Sequence, residues 1–176
     1  DFTKLDASGN PLPASAPLWS CVKDNHTGLI WEVKTNTVGI HFSYNYYRWG
    51  GKTAIGINNS GRDGSYYSDW GVLVNGSNSE ALCGFADWRV PSINELSSLL
   101  LLGDRQVIEG STFTKSIDVN YFPNTRADWY WSSSPTADEL DFPWGGYAFA
   151  IDFSNGFGLE NLRDFEIRVR LVRSGE

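Results

Sequence analysis

Histidine is the side chain best suited to proton transfer near neutral pH, and the chain holds only His26 and His41. His26 falls in a turn-like stretch, and no Gly-x-Ser-x-Gly elbow is present, so a Ser-His-acid triad has no support. No His-Glu-x-x-His motif or paired Cys/His spacing offers zinc ligands, and Cys21 and Cys83 alone make a poor metal site. Phosphate-cradling loops are missing as well: neither Gly-x-Gly-x-x-Gly opening a helix nor Gly-x-x-x-x-Gly-Lys-Ser/Thr occurs. Two carboxylates suffice for a glycosidase; Asp138, Glu139 and Asp141 form one cluster, Asp164 and Glu166 a second. Both lie in polar stretches where solvated acids are the ordinary case, and no EF-hand-type loop frames them for calcium.

What remains is guanidinium and aromatic chemistry. The last fifty-six residues carry five arginines and nine acids, and they close on the segment Phe165–Arg173. There Arg168 and Arg170 alternate with branched aliphatics at a two-residue period, which reads as a strand with a charged face. A planar guanidinium grips sulfate or carboxylate through parallel N–H donors. Arg163, Arg168 and Arg126 are therefore candidate ligand contacts, with Tyr147, Phe157 and Phe165 as rings able to stack on sugars. Pairing with a neighbouring acid competes with this role for any one arginine. Arg89, beside Trp88 and ahead of a capped helix, reads as structural.

A chain of 176 residues forms one domain of ordinary size and can bury roughly 70% of its unfolded surface. With 41% hydrophobic and 20% charged residues it is globular rather than disordered. Fourteen basic and twenty-one acidic residues give a net charge of −7, which argues against a general nucleic-acid or anionic-membrane binder. No apolar run approaches a membrane span. The first residue is Asp1 rather than Met, as expected of a processed or excised chain. Cys21 and Cys83 either form one bridge, which would constrain the unfolded chain by about 4 kcal/mol, or remain two buried thiols. A bridge would place the protein in an oxidising compartment.

Residues 1–17, with three prolines, read as an extended lead-in or linker to a domain over 18–176. Two short strands flank the turn Asp24-Asn25-His26-Thr27-Gly28. Residues 35–65 form a long aromatic, glycine-rich loop, and a short helix is expected over about 65–74, broken by Asn75-Gly76-Ser77-Asn78. Ser92 and Glu95 make a capping box that opens a helix over about 92–102, with Ile93, Leu96, Leu99 and Leu100 on its apolar stripe and Gly103 at its end. Strands follow at 130–133, 147–153 and 167–172.

Several stretches together resemble a known family. They are Trp19–Lys34, Leu82–Leu96, Tyr121–Asn124, Tyr130–Pro135, Phe153–Gly156 and Val169–Arg173, which in order and spacing span about residues 18–174. The chain is similar to the C-terminal domain family of the Legionella collagen-like adhesin. The resemblance implies an α+β, C-type-lectin-like fold with mixed and antiparallel sheets, similar to formylglycine-generating enzymes and to retroelement variable proteins. It also implies that Cys21 and Cys83 pair, that the domain is secreted or displayed on a bacterial surface, and that it assembles as a homotrimer binding sulfated glycosaminoglycans. No cysteine follows Cys83, so formylglycine chemistry does not carry over, and the Glu-Pro-Asn and Trp-Asn-Asp calcium motifs of animal lectins are absent. The family pattern makes Arg170 and Arg173 framework residues, whereas Arg163 and Arg168 lie in the variable stretch 136–168.

The expectation is a non-enzymatic adhesin domain without cofactor or metal that recognises a polyanionic glycan. The alternatives are a protein-binding module with a diversified surface and, third, a glycan hydrolase using the acid clusters.

Overall fold

The computed structural model describes residues 1–51, 69–101, 106–107, 114–136 and 146–175. The first acid cluster, Asp138, Glu139 and Asp141, lies outside them, as do residues 65–68 of the expected first helix and residue 102 at the end of the second.

The observed class is α+β, as expected: a five-stranded and a three-stranded antiparallel sheet with two helices. The first 17 residues depart from the linker reading. Phe2–Leu5 is a strand (β1) that pairs in turn with Pro11–Leu12 (β2) and with Cys21–Asp24 (β3), in the register Phe2↔Asp24 to Leu5↔Cys21. Leu5 sinks into the core, and Lys4 is buried with its ammonium over the Trp19 ring at 3.6 Å. Prolines misled the sequence reading, because they occupy the exposed edge and turn rather than the paired strand.

The hairpin from β3 to Leu29–Glu32 (β4) forms where expected. Asp24 organises its turn: Oδ1 accepts from the His26 amide at 2.9 Å and Oδ2 from the Thr27 hydroxyl at 2.6 Å. Gly28 then takes a φ of 76°, which a side chain would resist.

Asp69–Ser79 (α1) runs through the Asn-Gly-Ser-Asn stretch expected to break it. Tertiary contacts override propensity here. Ser77 donates its hydroxyl to the Leu73 carbonyl, Asn78 brackets the Trp88 backbone with two hydrogen bonds, and a Cβ on Gly76 would come within 2.8 Å of Ile40. A turn of 3-10 helix over Leu82–Gly84 carries Cys83, which is disulfide-bonded to Cys21 with the Cα atoms 6.4 Å apart.

The capping box is present as expected, but the helix it opens, Ile93–Ser97 (α2), is shorter than 92–102. Glu95 accepts from the Ser92 amide and hydroxyl and forms a two-pronged pair with Arg89 at 2.6 and 2.8 Å. The chain then turns so that the Leu101 amide reaches the Ser116 carbonyl, and packing takes over from the helical stripe.

Gln106–Val107 (β5) and Thr114–Lys115 (β6) pair as a small ribbon. Trp129–Pro135 (β7), Tyr147–Asp152 (β8) and Gly158–Leu162 (β9) form the second sheet. In β7, Tyr130 enters one core cluster with Trp31, Phe122 and Phe153, while Trp131 enters another with Trp49, Trp70 and Trp88. Adjacent side chains point to opposite faces of a strand, so β7 has both faces covered and divides the interior. Two of the buried indoles are hydrogen-bonded, Trp49 to the Ser132 carbonyl and Trp131 to that of Tyr47, whereas the N–H groups of Trp31 and Trp70 have no partner among the described residues.

Val172–Ser174 (β10) closes the first sheet against β4. The residues just before it, expected as a strand with a charged face, instead thread the interior through single bridges, Ile167 to Tyr47 and Arg168 to Tyr130. Ile167, Val169 and Leu171 enter the tryptophan-rich cluster, and Arg168 and Arg170 are buried on the other side.

The disulfide ties the five-stranded sheet to the segment after α1, across a sequence separation of 62. Cys21→Ser/Cys83→Ser should cost about 4 kcal/mol by loop entropy. Urea unfolding checks this, and a loss below 1 kcal/mol would show that the surrounding packing fixes that segment unaided.

Candidate functional site

Arg168, expected to contact ligand, is only 4% exposed, and this corrects its assignment. Its Nε bonds Asp128 at 3.0 Å, one terminal nitrogen meets the Ser43 carbonyl, and the other donates to the Tyr46 hydroxyl at 2.7 Å. Alternation placed it opposite the aliphatics correctly, but that side of the strand is covered by the loop holding Ser43 and Tyr46. Each of its three nitrogens has a partner inside the domain, so these bonds position Asp128, Tyr46 and the Ser43 backbone.

Arg126 is exposed, and its guanidinium lies over the Tyr44 ring at 4.2 Å. Arg168 sits over Tyr46 at 4.3 Å and at 5.8 Å from Tyr44, so the two arginines share one aromatic platform. Tyr44 and Tyr46 are 46% and 48% exposed. They belong to the aromatic loop of the sequence, but nothing in their spacing reveals that Arg126, some eighty residues later, packs on Tyr44.

Arg163 is half-buried elsewhere: it stacks over Trp49 at 4.3 Å and its Nε donates to the Tyr147 carbonyl at 3.2 Å. Arg163 and Tyr147 thus come together, apart from the Arg126 platform. Phe157 and Phe165 stay exposed, and no ring or cation–π contact joins them to either group among the described residues. Of the second acid cluster, Asp164 and Glu166 are exposed, and Glu166 pairs with Arg48 at 3.3 Å.

Beneath the platform is a buried charge network that the sequence reading missed. Glu32 is fully buried; its carboxylate accepts from Lys34 at 2.8 Å, His41 Nδ1 at 2.7 Å and the Leu171 amide at 2.8 Å. Burial alone would push its pKa up, but Lys34 and His41 outweigh burial and hold it down at about 2. His41 Nε2 meets Glu80, so both ring nitrogens face carboxylates, and these overcome burial to raise the imidazole pKa. Arg170, also fully buried, donates to the Glu32 carbonyl and to the Thr125 hydroxyl, and sits over the Phe122 ring at 4.9 Å. Lys34, itself bonded to Glu32, has its pKa lowered first by burial and further by the positive fields of Arg170 and Arg168.

Lys115 extends the same field: burial lowers its pKa, and Arg126 and Arg170 lower it further. Lys34, Lys115, Arg126, Arg168 and Arg170 are thus linked electrostatically, against the carboxylates of Glu32 and Asp128. A protein of net charge −7 concentrates positive charge here.

Across these elements, the profile described as the Lcl C-terminal domain matches residues 20–173. The chain belongs to the Lcl C-terminal domain family. Neither the curated proteins nor the solved structures contain a significant match. Membership makes this an adhesin-associated domain of surface or extracellular setting, facing an extracellular ligand. Among the described residues, no helix is long and apolar enough to cross a membrane. The Lcl C-terminal domain here is crosslinked, with the Arg126 platform lying over its charged interior.

Two measurements test the network. Arg168→Ala leaves Asp128 without its cation and exposes a void behind Tyr46, so it should cost about 3 kcal/mol in urea unfolding. Arg168→Lys should not rescue it, because one ammonium cannot span the same three acceptors. Full stability in Arg168→Ala would return that residue to the ligand-contact set. His41 has a raised folded pKa, so its contribution is complete below about 6.5 and is lost as pH rises through the raised value. The urea midpoint should fall across that alkaline-going window in the wild type and stay flatter in His41→Gln.

Proposed function

We propose that this adhesin domain recognises a polyanionic glycan, such as a sulfated glycosaminoglycan, through the surface centred on Arg126. The observation that carries this reading is an exposed guanidinium stacked on a half-exposed tyrosine above concentrated positive charge in an otherwise acidic protein. Tyr44 and Tyr46 supply ring surface for a sugar, and Arg126 supplies parallel N–H donors for a sulfate or carboxylate. The negative remainder of the protein repels a general polyanion, so binding is confined to this surface. Arg163 and Tyr147 offer a second, separate contact. Assembly as a homotrimer would present several platforms to one chain and multiply a weak affinity.

A protein ligand is the second reading. Phe157, Leu159 and Phe165 expose 62%, 56% and 51% of their surface around β9, the outer strand of its sheet among the described residues.

Retention on immobilised heparin separates the readings. Elution should require less salt for Arg126→Ala, and less markedly so for Arg163→Ala, while Phe157→Ser should leave it unchanged. Retention should weaken steeply with ionic strength. Equal elution of wild type and Arg126→Ala, or retention indifferent to salt, would reject the glycan reading.

A further inference from the structure

Away from the Arg126 platform, separate stretches of chain enclose a cavity of about 500 Å³, within the roughly 300–1,000 Å³ of small-ligand sites. Its walls come from residues 17–20 ahead of β3, residues 33–36 after β4, Leu82 in the 3-10 turn and residues 123–124. The disulfide braces it, because Ser20 and Leu82 on its walls are the chain neighbours of Cys21 and Cys83. Asn36 Nδ2 donates to Asn124 Oδ1 at 2.8 Å, and Asn124 Nδ2 to the Lys34 carbonyl at 2.7 Å, so hydrogen bonds also join walls far apart in sequence. The cavity is thus built before any ligand arrives. None of its lining residues belongs to the platform of Arg126, Tyr44 and Tyr46.

Its lining is chemically mixed. Leu18, Val33, Leu82 and Pro123 are apolar, and Leu18 remains 83% exposed. Lys34 lines it while only 3% exposed. Of the three N–H donors on its ammonium, one meets Glu32 at 2.8 Å, and no second acceptor occurs among the described residues. Asn36 and Asn124 each keep one amide N–H beyond the bonds above. The Thr35 hydroxyl donates to the Thr37 carbonyl and keeps lone pairs with which to accept. Charge is already compensated: Glu32 sits against Lys34, and His41, also on the lining, lies between Glu32 and Glu80. An anion therefore finds no uncompensated cation, and a cation meets the Lys34 ammonium.

A sugar hydroxyl both donates and accepts, and a sugar ring carries an apolar C–H face beside its hydroxyl edge, which complements this lining. An apolar peptide side chain would cover the wall but leave the Lys34 donors unmet. We propose that the cavity binds one uncharged sugar residue, with hydroxyls on Lys34, Asn36 and Asn124 and a C–H face against Leu18 and Pro123. This site does not rest on the Arg126 reading. It gives the domain a second specificity, for a neutral ring rather than for a sulfate.

The test is a titration of the full isotope-labelled chain with the methyl glycosides of glucose, galactose, mannose and N-acetylglucosamine, read at the Asn36 and Asn124 side-chain amides. One ring makes few contacts, so millimolar affinity is expected. At least one sugar should give saturable shifts that added salt leaves unchanged. Asn36→Ala, read at Asn124, should weaken Kd by about tenfold. Leu18→Ser, at an exposed position that folding tolerates, should weaken it several-fold, and Arg126→Ala should bind the sugar as the wild type does. No saturable shift with any of the four sugars, or unchanged affinity in both Asn36→Ala and Leu18→Ser, overturns the site. Shifts produced by N-acetyl-leucine amide and by none of the sugars make the cavity a peptide pocket and overturn it too. Heparin elution reads the Arg126 surface and should be the same in Leu18→Ser. Failure with the sugars while heparin is retained sinks the cavity site alone, and the reverse sinks the Arg126 reading alone.

Discussion

Arg170 is a guanidinium with no exposed surface, held by the Glu32 carbonyl, the Thr125 hydroxyl and two aromatic rings. The interior tolerates it because Glu32 is buried nearby and stays ionised. That carboxylate in turn requires Lys34, His41 and the Leu171 amide. Removing any one of these leaves a charge without compensation in a low-dielectric setting, where the cost far exceeds that of an ordinary surface ion pair. Segments from four parts of the chain are thereby locked together: β4, the loop around His41, the end of α1 at Glu80, and the stretch before β10.

The network has a consequence at the surface. Arg126 and Arg170 both lower the Lys115 pKa, so positive charge acts on that lysine from two separate positions in the chain. Arg168 belongs to the support: its three donors fix Tyr46, Asp128 and the Ser43 backbone, which set the platform on which Arg126 and Tyr44 lie. The buried Arg168 holds the platform, and Arg126 lies on it exposed.

The disulfide and the capping box serve a different purpose. Cys21–Cys83 and the Arg89–Glu95–Ser92 cluster fix the segment that joins the two helices to the five-stranded sheet. Arg89 also pairs through its backbone with Val172, so the helix cap and the last strand are one unit.

Local chemistry was readable from the letters alone. The Asp24–Gly28 turn and the Ser92–Glu95 box follow from residues close in sequence, because hydrogen bonds over three or four positions specify them, while β7 and β8 show in their apolar composition and alternation and the family in motifs spread along the chain. The sequence also supplied the inventory of arginines and aromatics. It did not reveal which arginines reach solvent. Alternation assigns Arg168 and Arg170 to one side of a strand, but whether that side meets water depends on a loop more than a hundred residues earlier. Residues 1–17 joined the sheet for the same reason, since pairing with β3 outweighs the proline-rich composition of their surroundings. Tertiary structure alone decided that Arg126 and Arg168 meet at Tyr44, one exposed and the other buried, because burial and charge compensation are properties of the assembled chain.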